Sequence, residues 1–369
     1  VLQPSVRCGT ASAVAPGRGF GGVLLVFGGL TLWEAYDGDD DGGGDIIWSG
    51  RTPFLVSNEL WDFDLGGDLG WQRLPTWPTG AGPTARHGAT GFFHEGYFLV
   101  LGGEDTNQAF GELWSYDVVA GTWETLSAAS EPLLARWGHA SAQVVPGDVF
   151  AAHDPLRNWT DTLFFFGGSA LPWKGDAGSQ DQKTAAESTV GAVEIAALSG
   201  DGSIADQRMH PALQRFGHSM VADSRGWLWV FGGMLNDADT LSARTLVMRL
   251  GPGSVSADDS APPSRHRHGR ALTLDTVSTS GRWWEYVPRG SGGHGGVNNN
   301  GHFGPMARMF HGAIVWKGRM IVHGGRRRVS EGDVLSSLWS LAIDVEEEEV
   351  DRGGGGGNGG GNNGGNASD

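Results

Sequence analysis

Five apolar runs in this chain close on a pair of glycines, and each is preceded by an arginine in the same order of parts. The runs occupy residues 23–27, 98–101, 163–166, 227–231 and 320–323, and the arginines ahead of them are Arg7, Arg86, Arg136, Arg215 and Arg308. The glycine pairs are Gly28 and Gly29, Gly102 and Gly103, Gly167 and Gly168, Gly232 and Gly233, and Gly324 and Gly325. Recurrence in phase marks a chain built by repeating one supersecondary unit. The shortest interval, Arg86 to Arg136, matches a unit of ~50 residues. The runs are continuously apolar rather than alternating, the pattern of strands buried on both faces, as in sheets stacked face to face. No lysine follows the paired glycines, so they read as a turn where a Cβ would obstruct close backbone approach, not as a phosphate loop.

Two later strands complete the unit. In the first they read as residues 60–64, with Trp61, and 71–75, with Trp71; in the second as 113–117, with Trp114, and 123–126, with Trp123. The third unit has late strands near 192–196 and 203–209 without tryptophan. In the fourth, the third strand is placed at 271–275 because Trp284 to Pro288 then follows as Trp71 to Pro75 does; residues 245–250 are the competing choice. The fifth unit reaches Leu338, Trp339 and Asp344 and then meets four glutamates with no tryptophan strand after them. Glycine is in excess, 63 of 369 residues, but 16 tryptophans and 39% hydrophobic residues supply a core that a disordered chain lacks. Residues 346–369 are acidic and then Gly/Asn-rich, a composition expected to form a disordered tail.

These residues resemble the kelch family, whose repeat has an Arg-x-Gly-His-like start, a diglycine, an aromatic-Asp third strand and a fourth-strand tryptophan. Arg136-Trp-Gly-His139 and Arg215-Phe-Gly-His218 match best; the starts at Arg7, Arg86 and Arg308 are looser, and the likeness spans about residues 7 to 344. The resemblance implies an all-β propeller over residues 1–345 with about five recognisable four-stranded blades and an incomplete last blade or ring closure. A fragment of a larger ring and a distorted five-bladed ring both remain open, and the Val at position 1 leads us to expect upstream sequence.

Four strands running alternately place all five arginines on one face of such a unit. Loops on a rigid scaffold are where binding residues sit. The insertions at 30–59 and 234–270 and the loop 289–304 are expected on the arginine face, and one extension, 145–161, on the opposite face. The Gly/Asp-rich stretch 37–45 reads as disordered. The resemblance implies that arginines heading first strands line a central pocket that receives acidic peptide groups. On that basis the candidate ligand-binding residues are Arg7, Arg86, Arg136, Arg215 and Arg308, joined by Arg265, Arg267 and Arg270 in the fourth-unit insertion and by Arg326, Arg327 and Arg328 after the last diglycine. The competing reading makes the five repeated arginines structural struts that bond neighbouring strands.

A formal charge of −16 argues against a nonspecific nucleic-acid binder. No apolar stretch is long enough for a membrane span. The single cysteine, Cys8, excludes an internal disulfide and fits a cytosolic or nuclear setting. No cofactor or metal site is expected: His266, His268, His294 and His302 have no carboxylate or thiol spacing around them that completes one. The rival enzyme is a galactose-oxidase-like copper protein or another metal-dependent type. His87-Gly88 stands where a copper site of that kind would have a tyrosine, and Tyr36, Tyr97, Tyr116 and Tyr286 lie elsewhere in the pattern. The sequence therefore reads as a monomeric, noncatalytic protein-interaction module that binds a protein or acidic peptide partner on the arginine face.

Overall fold

The computed structural model describes residues 3–5, 7–16, 22–32, 46–49, 52–66, 69–75, 82–105, 107–127, 135–144, 162–170, 190–194, 214–223, 227–235, 240–249, 269–278, 281–288, 305–327 and 335–343. Every regular element among them is a β-strand, and all pairings are antiparallel. No helix among the described residues is long and apolar enough to cross a membrane.

Each repeat forms one main sheet whose strands lie in near-sequential order. The first is Ala11–Pro16, Gly22–Phe27, Leu60–Asp64 and Trp71–Leu74; the second is Thr90–His94, Tyr97–Leu101, Leu113–Asp117 and Thr122–Ser127. The third has Ala140–Val144, Thr162–Phe166 and Val190–Glu194, and the fifth has Gly312–Trp316, Arg319–His323 and Leu338–Ala342. The apolar runs form the second strand of each of these main sheets. Phe98, Leu99, Val100 and Leu101 are all buried, as is every residue of Trp227–Phe231, because each strand has one face against the preceding sheet and one against the next.

Four apolar clusters hold successive sheets together. Ala11, Leu25 and Phe27 meet Phe98, Val100 and Trp123; Phe92, Leu99 and Leu101 meet Leu163 and Phe165; Phe164 and Phe166 meet Met220, Leu228 and Val230; Trp229, Phe231 and Val247 meet Met320, Val322 and Ile343. At about 1.5–3 kcal/mol for each large side chain taken out of water, these interfaces are the main source of stability. The stack is compatible with a β-propeller. No strand pairing or backbone hydrogen bond among the described residues joins the fifth sheet to the first, so no closed ring is present there.

Two expectations are corrected. In the fourth sheet the third strand is Thr245–Arg249, paired in register with Trp227–Phe231; Gly281–Pro288 follows it, and Gly269–Ser278 is a fifth, outermost strand. Residues 271–275 therefore do not form the third strand. The segment before the third strand ends at Arg244; the third strand itself ends at Arg249 on the end opposite the arginines, and the chain re-enters the sheet at Gly269 on the arginine end, while 250–268 lies outside the described residues. In the third sheet the late strand is Val190–Glu194, two residues earlier than 192–196, while 203–209 lies outside the described residues, as do 145–161 and 344–369.

Candidate interaction face

Strand alternation brings the arginine loop, the diglycine and the head of the third strand to one end of each sheet. In the second sheet Thr90, Leu101, Leu113 and Ser127 stand in line across the four strands at that end. The residue after each arginine pairs with the residue after the diglycine: Cys8 with Leu30, His87 with Glu104, Trp137 with Ser169, Phe216 with Met234 and Met309 with Arg326.

This pairing presses each guanidinium onto its own sheet. Nη1 of Arg7, Arg86, Arg136, Arg215 and Arg308 donates to the carbonyl of Gly28, Gly102, Gly167, Gly232 and Gly324 at 3.2, 3.1, 3.0, 3.0 and 2.7 Å. The arginine carbonyl faces the other way and accepts from the second glycine of the preceding pair: Gly29 to Arg86 at 2.9 Å, Gly103 to Arg136 at 2.8 Å, Gly168 to Arg215 and Gly233 to Arg308 both at 2.9 Å. A third series joins the sheets near their inner edge, where Gly88 donates to Gly9, Gly138 to Gly88, Gly217 to Gly138 and Phe310 to Gly217, at 2.6–2.8 Å. A side chain at Gly102 would put its Cβ 2.6 Å from the Arg136 carbonyl, and the backbone there is left-handed (φ +66°), which is why the pair is glycine.

The third-strand head supplies a counter-charge in two sheets. Glu59 Oε2 accepts from Arg7 at 2.6 Å and from Trp61 Nε1 at 3.0 Å; Glu112 Oε2 accepts from Arg86 at 2.9 Å and from Trp114 Nε1 at 2.8 Å. Burial alone would raise both carboxyls, but the arginine and tryptophan donors outweigh it and hold them below the usual carboxylate range. In the fifth sheet Ser337 Oγ takes this place, 3.0 Å from Arg308 Nη2. In the fourth, Arg244 stands there instead and reaches Glu285 at 3.6 Å; burial and then the Arg244 charge push Arg215 down to about 9.

The five repeated arginines thus share one end of their sheets, each with its guanidinium turned back onto its own diglycine. Arg86, Arg136, Arg215 and Arg308 are buried, each with Nη1 on the backbone carbonyl of its own diglycine. The middle of this end is filled by aromatic rings: Trp137 stacks on Phe310 at 6.2 Å and meets Phe216 at 5.3 Å and His87 at 5.6 Å. Beside them His87 Nε2 lies 3.1 Å from Glu104 Oε1, both side chains buried, and burial followed by the Arg326 charge pushes His87 down to about 3.

Of the remaining candidates, Arg326 is half-buried with its guanidinium 5.0 Å over the Phe310 ring, and Arg327 is exposed, its Nη1 3.6 Å from Met306 Sδ. Arg270 lies near the arginine end of the outermost strand, its backbone opposite Val287. Arg265, Arg267 and Arg328 lie outside the described residues. Sequence reasoning missed a small sheet on this end. Arg7–Cys8, Leu30–Leu32, Thr52–Val56 and Ile46–Ser49 pair in that order, so both flanks of the first insertion are ordered strands, while 37–45 lies outside the described residues. The signal was available in the β-branched and aromatic residues around 46–56.

Three tyrosines are described. Tyr97 is exposed on a second strand, while Tyr116 packs on Trp123 and Tyr286 on Trp229. Among the described residues no three His, Cys, Asp or Glu side chains form a group that could hold a metal ion. No protein-family model matches the sequence, and no curated protein matches it.

Proposed function

We propose that this chain is a kelch-type β-propeller scaffold that binds a protein partner, noncatalytically, on the end that carries the arginines. The observation that supports this most is the division of labour at that end. The repeated arginines and glycines are taken up in fixing sheet to sheet, while the chain added to the repeat forms a further sheet, from Leu30–Leu32, Thr52–Val56 and Ile46–Ser49, on top of the fixed frame. Variable loops on an invariant frame are the usual arrangement of a recognition surface.

The exposed cations on that end suit an acidic segment of the partner better than the buried struts do. Arg244 precedes the third strand of the fourth sheet and Arg327 follows the last diglycine, and guanidinium groups pair carboxylates in two-point geometry.

The test is capture of an Asp/Glu-rich peptide library on the immobilised chain, comparing wild type, the Arg244→Glu, Arg327→Glu double variant and Lys317→Glu, whose exposed side chain sits at the other end. The double variant is expected to bind at least about tenfold more weakly and to lose salt dependence, with Lys317→Glu unchanged. Equal binding by the double variant, or loss with Lys317→Glu, rejects the arginine end as the site. Stoichiometric copper with peroxide production rejects the noncatalytic reading.

A further inference from the structure

Side chains in the first strand of each sheet obey a strict alternation. Counting from the arginine, the fourth and sixth residues face the next sheet: Ala11 and Ala13, Thr90 and Phe92, Ala140 and Ala142, Ser219 and Val221. The fifth and seventh face the preceding one, as Met220 and Ala222 do toward the third sheet. At the two ends of the stack the same positions are open. Ile314, the sixth residue after Arg308, is 61% exposed where its counterpart Phe92 is 6% exposed, and Leu338, heading its third strand, is 68% exposed where Leu113 is 2%. Trp316, two residues beyond Ile314 on the same strand, is 57% exposed. On the first sheet the seventh residue after Arg7, Val14, is likewise 57% exposed, with Ser12 and Pro16 exposed on the same face.

The backbone series stop at the same two places. Gly29, Gly103, Gly168 and Gly233 each donate to the arginine carbonyl of the sheet that follows, whereas among the described residues Gly325 meets no arginine carbonyl. The inner series runs from Gly9 to Phe310 and goes no further among the described residues.

We infer that the outer face of the fifth sheet and the outer face of the first are the two halves of a socket for one more sheet of this same repeat, carried on the same polypeptide. The occupant is defined by the four junctions already present, all of which join sheets successive in one chain. It has an Arg-x-Gly head whose arginine carbonyl takes the Gly325 N–H and whose glycine N–H donates to Phe310. Its first two strands are apolar on both faces, covering Ile314, Trp316 and Leu338 on one side and Val14 on the other. The inference rests on the propeller part of the proposed function and is independent of what the arginine end binds.

The experiment compares the chain of residues 1–369 with a version extended ahead of Val1 by a copy of the second repeat, residues 82–127, both carrying Cys8→Ser and Leu338→Cys. Maleimide labelling of the new thiol is expected to run at the rate of an exposed thiol in the shorter protein and at least about tenfold slower in the extended one. Amide exchange at Gly325 is read in parallel on versions without the Leu338 substitution and is expected to slow by a similar factor. Slow labelling and exchange in a monomeric 1–369 chain overturn the inference in favour of direct closure of the fifth sheet on the first. Protection in the 1–369 chain that grows with its concentration overturns it in favour of pairing with a second copy, and absence of added protection in the extended chain overturns it outright. Loss of peptide capture leaves it standing, which keeps the two proposals separable.

Discussion

The Nε2 of His311 lies 2.8 Å from the hydroxyl of Ser219, 92 residues earlier in the chain and one sheet back. The same bond joins His139 to Thr90 at 3.0 Å. In both, the third residue after an arginine meets the fourth residue after the arginine of the preceding sheet. His218 occupies the same place in the fourth sheet, its ring 5.0 Å from Phe166, but the position that would hold its hydroxyl is Ala140.

Removing or adding the hydroxyl should therefore have opposite signs. Ser219→Ala removes the hydroxyl partner of a buried imidazole and is expected to cost about 1–2 kcal/mol, while Ala140→Ser is expected to gain about 0.5–1.5 kcal/mol by offering His218 a hydroxyl. Urea denaturation at neutral pH reads both. A destabilising Ala140→Ser would show that the repeat relation does not carry over to this pair.

Stability should fall on the acid side in a defined window. His139 and His311 are pushed from the usual 6.5 to about 3, and His218 well below 6.5, in each case by burial first and by the neighbouring arginine second. The unfolded chain takes up protons near pH 6.5 while the folded one does not, so the contribution is whole above that pH and is lost between about 6.5 and 3. Each histidine contributes about 1.4 kcal/mol per pH unit within the window. Unfolding free energies at pH 7.5 and 5.5 check this, and His311→Gln should flatten the dependence by about one histidine's share.

Glu112 holds a buried cation. Its oxygen accepts from the fully buried Arg86 and from Trp114, so Glu112→Ala leaves two donors unsatisfied and is expected to cost about 2–3 kcal/mol. Raising the salt concentration should change that cost little, because Arg86 is out of reach of screening ions. A cost that vanishes at high salt would place the pair at the surface.

Trp123 on a fourth strand reaches across to the first sheet, with its ring 5.3 Å from Phe27 as well as 5.1 Å from Tyr116. Trp123→Ala is expected to cost about 3–5 kcal/mol by emptying that junction. Thermal unfolding monitored by circular dichroism reads it, and a change under about 1 kcal/mol would mean the junction does not depend on this ring.

Gly102 and Gly70 share a left-handed backbone, φ +66°, but not an environment. At Gly70 nothing lies within 4 Å of an added Cβ, so Gly70→Ala is expected to cost only the backbone strain, about 1–2 kcal/mol. At Gly102 the Cβ also strikes the Arg136 carbonyl, so Gly102→Ala must displace a junction between two sheets and should cost clearly more. Equal effects in denaturation would remove the steric reason for the diglycine.

The periodic features were legible in the sequence because each rests on local chemistry. Apolar runs such as 227–231 make two-faced strands whatever surrounds them, a left-handed turn selects glycine, and the recurrence of Arg, diglycine and tryptophan shows one unit repeated. What Arg86, Arg136, Arg215 and Arg308 do was not legible. An arginine ahead of a strand can face solvent or fold back on a carbonyl, and only the pairing of its neighbour with the post-diglycine residue buries it as a strut. The position of Trp284 to Pro288 favoured 271–275 over 245–250 as the third strand, and that expectation failed. The third strand was decided by which segment pairs with Trp227–Phe231, a contact that no local pattern encodes. Exposure at Ile314 and Leu338 belongs to the same class: their residue types match those of buried counterparts, and only the position of the fifth sheet at one end of the stack leaves them open.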